Sequence, residues 1–242
     1  MIQYLEWESK HFNKEIYSLV DHEITNDQLR ECLEAKYIDL IQCKCDVSKT
    51  NFINLLCSNK FELASISITL SKALSKEIKQ ISNMDESIFV ANETDIVDIK
   101  EIAKKSFRYS RFFHPFFDEI KVHDIYSQWA EKSVIGKFDN ICFIAKEKNI
   151  ISGFMTLRFV TKSICKIGLI AVNKKYRGMK VGKRLLNYAS IYASHHGYTT
   201  LQVETQYENK EAISLYQKQA FSVDLVEAWM YLFPYRSKYL YT

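Results

Sequence analysis

Apolar positions in the second half of the chain change period several times, and each change marks an element. Ser87–Ala91 predicts a short strand. Ile96, Ile99, Ile102 and Ala103 fall at helical spacing, which predicts a helix capped by Thr94, with Asp95 in its first turn, running to about Phe107. Ser110–Asp118 is aromatic and broken by proline, so it reads as a loop, and Val122–Ile135 predicts a second helix. The apolar runs Asn140–Lys146 and Ile150–Phe159 flank Lys148-Asn149 and predict a hairpin, followed by a strand at Ile164–Val172. Val181, Leu185, Ala189 and Tyr192 predict a helix over Val181–His195. Thr200–Thr205 alternates as a strand does, Asn209–Gln219 reads as a helix carrying Ile213, Leu215 and Tyr216, and Phe221–Phe233 closes as a strand. The order β-α-α-β-β-β-α-β-α-β predicts a mixed α/β sheet with helices on both faces.

The first half carries a weaker echo of this pattern. Residues 37–70 and 197–230 align at one constant offset, which places Ile41 with Leu201, Cys43 with Val203, Ile53 with Ile213, Leu55 with Leu215 and Phe61 with Phe221. Both read strand, polar turn, short helix, Phe, strand. The N-terminal part is therefore expected to be a degenerate copy of the last β-α-β unit, with chance likeness between two such units as the alternative. All six glycines lie at or after Gly136, so the two halves make different backbone demands. The expected division is an N-terminal α/β domain over 1–85 and a second domain over 86–242.

Composition narrows the class without deciding it. The chain has 242 residues, 47% hydrophobic and 26% charged, as an ordinary globular protein does. A net charge of +4 with no basic tract gives weak support for an anionic ligand and none for nucleic acid. No apolar run approaches the ~20 residues that span a bilayer, and the N-terminus shows no basic and apolar leader pattern. A cytoplasmic protein without membrane insertion is expected. The cysteines 32, 43, 45, 57, 142 and 165 offer no second ligand pair at metal spacing, so reduced buried thiols and no metal are expected. The apolar tail Tyr235–Tyr241 is a candidate homodimer contact or a piece of core.

The stretch between Val172 and Val181 carries the chemistry. Arg177, Gly178, Lys180 and Gly182 stand between the end of a strand and the start of an apolar helix. A helix N-terminus leaves its first N–H groups without internal partners and bears partial positive charge. Phosphate accepts those N–H bonds, glycine allows close approach and basic side chains add charge. The turn suits a pyrophosphate, although neither the P-loop nor the dinucleotide fingerprint is present. A tight β-α turn with a solvated basic face explains the same spacing.

Residues 172–186, VNKKYRGMKVGKRLL, resemble the acetyl-CoA signature of the GCN5-related N-acetyltransferases (GNAT), Val-x-Pro-x-Tyr-Arg-Gly-x-Gly-x-Gly/Ala before a helix. Lys174 replaces the usual Pro and Lys180 the middle Gly. Asn209–Tyr216 resembles the family's Asn-x-x-Ala-x-x-x-Tyr segment, and the element order matches its fold. Residues 5–12, 93–96, 106–112 and 205–209 further resemble a subgroup that acetylates a dTDP-linked 4-amino-4,6-dideoxyhexose.

The resemblance implies a GNAT mixed-sheet fold with a smaller, half-GNAT-like N-terminal domain. It implies transfer of an acetyl group from acetyl-CoA, as co-substrate, to the primary amine of a nucleotide-linked sugar. Main-chain N–H groups of Ile170, Ala171 and Val172 would hold the thioester and pantetheine, and Arg177, Gly178, Met179, Lys180, Val181, Gly182 and Lys183 the pyrophosphate. Asn209 would bond the pantetheine arm. Tyr216 would protonate the leaving thiolate, a packed helix aromatic being the alternative. Leu56 stands at the equivalent place in the N-terminal echo, which implies one active site per chain. Glu204 and His114 are candidates for the base. Arg108 and Arg111 would clamp acceptor phosphates, or are solvated helix-end arginines. Other amine acceptors, or a silent CoA-binding module, are the competing functions.

Overall fold

A computed structural model of the chain describes residues 2–34, 37–75 and 85–234. The candidate dimer segment Tyr235–Tyr241 lies outside them. By compactness the chain forms two units whose segments interleave along the sequence. The first takes the chain up to Ser67, then Arg111–Lys121, then everything from Leu225. The second takes Ile68–Ser110 and Val122–Asp224. The expected boundary at residue 85 follows chain order, whereas compactness ends the first stretch of the first unit at Ser67 and returns two later segments to that unit.

In the first unit the elements are β1 (Ile2–Tyr4), α1 (Glu6–Phe12), β2 (Ile16–Leu19), α2 (Asn26–Glu34), β3 (Leu40–Asp46) and α3 (Thr50–Ser58). Strand β4 (Glu62–Ala73) starts there and ends in the second unit; β10 (Ser222–Leu232) runs the opposite way. The strand order is β1-β2-β3-β10, with β2 parallel to β3 and the other pairs antiparallel. Leu19, Ile38, Ile41, Cys43, Leu56, Phe61 and Met230 make its core. Each large apolar side chain buried there contributes about 1.5–3 kcal/mol. The aromatic loop of residues 111–117 is largely core: Phe112 and Phe117 are buried, with ring centroids 5.3 and 4.5 Å from Phe12.

The second unit contains β5 (Ile88–Val90), α4 (Ile96–Ser106), most of α5 (Glu119–Val134), β6 (Ile141–Glu147), β7 (Ile150–Phe159), β8 (Ile164–Val172), α6 (Val181–His195), β9 (Thr200–Gln206) and α7 (Lys210–Gln217). Its strand order is β4-β9-β8-β7-β6-β5, with β8 parallel to β9 and β5 through β8 antiparallel, which is the mixed α/β sheet expected. The β6–β7 hairpin turns on Lys148 and Asn149, both at positive φ, as a two-residue loop between twisted strands requires. The cap before α4 differs from the expectation. Asn92 accepts from Thr94 N–H at 2.9 Å, and Asp95 accepts from Asn92 N–H at 3.0 Å, so a reciprocal box closes one short turn earlier than Thr94 alone would.

The sequence echo is present as local structure. Elements β3, α3 and β4 begin at residues 40, 50 and 62; β9, α7 and β10 begin at 200, 210 and 222, each 160 later. In both sets the strand after the short helix leaves the unit in which that helix lies.

Candidate active site

The site begins where two parallel strands stop pairing. Ile164 to Ile167 of β8 pair with Thr200 to Val203 of β9, and the register ends there although both strands continue. On its other side β8 stays paired with β7 as far as Val172, which lies opposite Gly153. Asn173 N–H donates to Ser152 C=O at 2.9 Å and Leu169 N–H to the Thr156 hydroxyl at 2.7 Å, so both face β7. By strand alternation the N–H groups of Ile170 and Val172 face the side where β9 has separated. Donors at the C-terminal end of a parallel strand, beside such a gap, are ready for a ligand's oxygen.

The turn after β8 adds more unpaired donors. A short 3-10 turn, Lys174–Tyr176, is capped by Asn173, whose side chain accepts from Lys175 N–H. Gly178 then takes φ +80° with open space around it, a conformation that L side chains disfavour. Lys180 takes φ 62° and ψ 12° as the residue before α6, so it adopts the left-handed form that a glycine would. Among the described residues, the backbone N–H groups of Gly178, Lys180, Val181, Gly182 and Lys183 have no backbone acceptor. Arg177, Met179, Lys180 and Lys183 ring them with exposed or half-exposed side chains. Arg184 is turned elsewhere: its Nε meets Asp85 at 2.6 Å and its other nitrogens meet Glu147 and Ser87, which ties the first turn of α6 to the segment before β5 and to the β6–β7 hairpin.

Helix α7 carries the remaining predicted groups. Asn209 is its N-cap, accepting from Ala212 N–H at 3.3 Å and donating to the Thr205 hydroxyl at 3.0 Å. Tyr216 is 4% exposed, and burial raises its pKa well above the ordinary 10.0. Its hydroxyl has no hydrogen-bond partner among the described residues, yet it is not one of the fully enclosed unsatisfied side-chain atoms. The hydroxyl thus keeps its proton and lone pairs uncommitted among the described residues.

The less specific candidates separate. Arg108 is exposed, in a segment fixed by Phe107 stacking on Tyr126 and by the Tyr126 hydroxyl donating to Ser110 at 2.7 Å. Arg111 is only 12% exposed and lies between Phe112 and Trp229, 3.9 and 4.1 Å from their ring centres. It donates to Glu8 at 2.8 Å, to Gln42 and to Tyr231. Burial opposes its charge, but Glu8 and Tyr231 outweigh that and raise its pKa. Arg111 is thus held by partners inside the first unit. His114 Nδ1 accepts from Phe116 N–H at 3.2 Å, which leaves Nε2 to donate to Glu62 at 3.1 Å. Glu204 is ion-paired with Lys166 at 2.7 Å. Arg108 is exposed, as either reading of it requires, whereas the solvated reading fails for Arg111. His114 thus has no ring lone pair to spare, and Glu204 is held by Lys166.

Similarity to known proteins decides the family. The family model of the GNAT acetyltransferases matches residues 96–221. A dTDP-fucosamine acetyltransferase of Escherichia coli O6:H1 is 30% identical over 192 residues, 79% of this chain and 80% of that one. The chain belongs to the GNAT family. A spore coat polysaccharide biosynthesis protein of Bacillus subtilis is 23% identical over 58% of this chain and 48% of its own. Among solved structures, a tandem GNAT protein from the clavulanic acid biosynthesis pathway aligns with a TM-score of 0.62 at 10% identity, over 92% of this chain and 76% of that one. A GCN5-related N-acetyltransferase from Sphaerobacter thermophilus aligns with a TM-score of 0.57 at 13% identity, over 86% and 65%. These two share the fold.

As a GNAT enzyme the chain is an acetyl-CoA-dependent N-acetyltransferase. The donor set fits that co-substrate: unpaired amides and cations for phosphate at the start of α6, and N–H donors for carbonyl oxygen on β8. Among the described residues, no helix is long and apolar enough to cross a membrane. Cys43, Cys45, Cys142 and Cys165 are buried free thiols, and burial pushes Cys165 up to about 12. Cys57, by contrast, is exposed. Thr156 and Asp139, which act on β8, have no local spacing that marks them in the sequence.

Proposed function

We propose that the enzyme transfers the acetyl group of acetyl-CoA to the primary amine of a nucleotide-linked amino sugar of the dTDP-4-amino-4,6-dideoxyhexose type. The observation that carries the reading is the set of main-chain N–H groups without a backbone acceptor at Gly178, Lys180, Val181, Gly182 and Lys183, beside the Ile170 and Val172 amides that alternation turns to the gap left by β9. It offers a thioester carbonyl partners at the end of β8 and a pyrophosphate partners at the start of α6. The sugar class is supported by the two curated relatives, both named for saccharide chemistry.

In this reading the neutral amine attacks the thioester carbon. The carbonyl oxygen gains charge and is held by the N–H groups of Ile170 and Val172, worth about 10²–10³ in rate for each such donor elsewhere. As the C–S bond breaks, the Tyr216 phenol gives its proton to sulfur and regains one from solvent. The second amine proton leaves to water, since Glu204 and His114 are engaged. Ala171 lies between the two donors, and Asn209 holds the pantetheine arm with its remaining N–H. Arg108 is the cation offered to the acceptor's phosphates. Free cysteines agree with the expected cytoplasmic location.

Titration calorimetry with acetyl-CoA tests the co-substrate site, and silence there sinks the reading. Mass spectrometry after incubation with a panel of amino-sugar nucleotides, polyamines and peptides tests the acceptor. A mass gain of one acetyl group on the peptides alone would replace the sugar by another amine.

A further inference from the structure

Strand β8 changes character at one point on both edges. Its pairing with β9 ends at Ile167, and at the next two residues it bulges against β7. Met155 lies opposite Ile170 and Leu157 opposite Ile167, so Gly168 and Leu169 together face the single residue Thr156. A bulge of this kind bends the strand and re-aims the residues beyond it. In β8 those residues are Ile170–Val172.

The bulge is held by side chains rather than by the ladder. Leu169 N–H donates to the Thr156 hydroxyl at 2.7 Å. That hydroxyl donates its own proton to Asp139 Oδ2 at 2.6 Å. Asp139 is fully buried, and it also accepts from Trp129 Nε1 at 2.8 Å and from Arg158 Nε at 2.8 Å, with Ser133 at 3.4 Å. Gly168 completes the arrangement. A Cβ there would lie 2.1 Å from Asp139 Oδ2, so only glycine lets the carboxylate sit against the bulged strand. The bond order is thus fixed from α5 through a buried charge to one main-chain amide. With Asp139 as an acceptor, the Thr156 proton is committed, and its lone pairs are turned to Leu169.

We infer that Thr156 and Asp139 are positioning residues for acetyl transfer: they lock the Gly168–Leu169 bulge and so aim the Ile170 and Val172 amides at the thioester oxygen. The inference rests on the proposed site. Neither side chain touches the reacting atoms. A buried carboxylate with several charge-assisted bonds is rigid, and rigidity is what an oxyanion donor needs to act without reorganising.

The test compares Thr156→Val with Thr156→Ser, using [1-13C]acetyl-CoA as the probe. In the wild type, the bound thioester carbonyl resonance is displaced from its free position by the main-chain donors. In Thr156→Val it moves back towards the free position, while calorimetric affinity for acetyl-CoA, dominated by the phosphate turn, stays unchanged. Turnover with dTDP-4-amino-4,6-dideoxygalactose falls about tenfold or more in kcat with KM for acetyl-CoA retained, as loss of aim at an oxyanion donor predicts. Thr156→Ser keeps the hydroxyl and restores both readings. A Thr156→Val protein with the wild-type carbonyl resonance overturns the inference, as does failure of serine to rescue. Should Thr156→Val not fold, Asp139→Asn carries the same measurements, with a smaller change in the same direction expected and no change refuting it. A wild type that binds no acetyl-CoA removes the function itself; 15N-leucine labelling still decides the bulge, since Leu169's amide must shift in valine and not in serine.

Discussion

Ile53 N–H donates to Lys49 C=O at 3.0 Å in the first unit, and Ile213 N–H donates to Asn209 C=O at 3.1 Å in the second. The correspondence continues through each helix end. Lys60 N–H reaches Cys57 C=O at 2.9 Å where Ala220 N–H reaches Gln217 C=O at 3.0 Å. Phe61 N–H reaches Leu56 C=O at 3.0 Å where Phe221 N–H reaches Tyr216 C=O at 3.1 Å. Even the left-handed residues correspond, Lys60 at φ 65° and Ala220 at φ 64°. The two β-α-β stretches therefore share their local backbone closure, residue for residue at the 160-position offset.

The side chains then diverge where chemistry is needed. Leu56 is fully buried where Tyr216 is 4% exposed with an uncommitted hydroxyl. Lys49 makes no side-chain cap where Asn209 caps α7. The first 135 residues contain no glycine, so the first unit has no counterpart of the Gly178 turn. A scaffold does not confer activity; a few groups placed on it do.

Tyr216→Phe is the change that breaks the comparison most. It makes the second unit as mute as the first, and kcat is expected to fall about 10²–10⁴-fold, the range of a positioned general acid. Thermal stability should hardly move, because the hydroxyl has no partner to lose among the described residues. The raised pKa adds a pH signature. The wild-type phenol keeps its proton past the ordinary 10.0, so kcat should show no descending limb there. Stability runs the other way. The unfolded phenol ionises first, so stability is full below pH 10 and is lost as pH rises towards the folded value. Tyr216→Phe should flatten that alkaline slope in denaturant titrations. An alkaline rate limb at 10 in the wild type would remove Tyr216 from the acid role.

Leu56→Ala is the matching test in the first unit. It empties a fully buried site and should cost about 2–5 kcal/mol by chemical denaturation. Turnover per folded molecule should be unchanged. A loss of kcat as large as that of Tyr216→Phe would mean that the first unit takes part in chemistry.

Which features are legible in the sequence depends on which contacts are local. The hairpin at Lys148-Asn149, the α6 start and the 160-residue echo depend on spacing, and they stand in the structure where the pattern puts them. The cap lies at Asn92 rather than Thr94 because Asp95 closes a reciprocal bond that single-position cap preference ignores. Arg111 reads as a phosphate clamp beside Arg108, but Glu8, Gln42 and Trp229, from distant segments, claim it. Asp139 and Thr156 carry no signal at all, since their partners span α5, β7 and β8. Similarly, no period shows that β4 and β10 leave the units they start in. Local spacing places the turn and Tyr216 on their elements, whereas tertiary contacts decide which charged groups are already engaged.

Lys180→Gly sharpens the comparison within the second unit. Lysine pays a left-handed backbone there, about 1–2 kcal/mol, and glycine would recover part of it, less the ~0.4–1 kcal/mol its freer unfolded chain costs. Stability should therefore hold or rise. Affinity for acetyl-CoA should fall through loss of an exposed cation, and the difference should shrink at high salt, where the Debye length drops to ~3 Å at 1 M. An affinity that rises, or falls equally at all salt concentrations, would show that Lys180 does not serve the phosphates by charge.

The smallest effects test whether the two helix ends are truly one device. Lys60→Gly and Ala220→Gly each place glycine at a left-handed residue just past a short helix, where glycine is the favoured closure. Each should gain up to about 1 kcal/mol, the strain relieved minus the entropy of a freer unfolded chain. The two gains should be equal, because φ differs by a degree and the closing hydrogen bonds match. Each turn closes on its own helix, so the gains should add in the double variant. Denaturant midpoints measured at one slope decide it. Unequal gains would mean that the likeness stops at backbone angles, and that packing around Phe61 and Phe221 sets the energy of each turn separately.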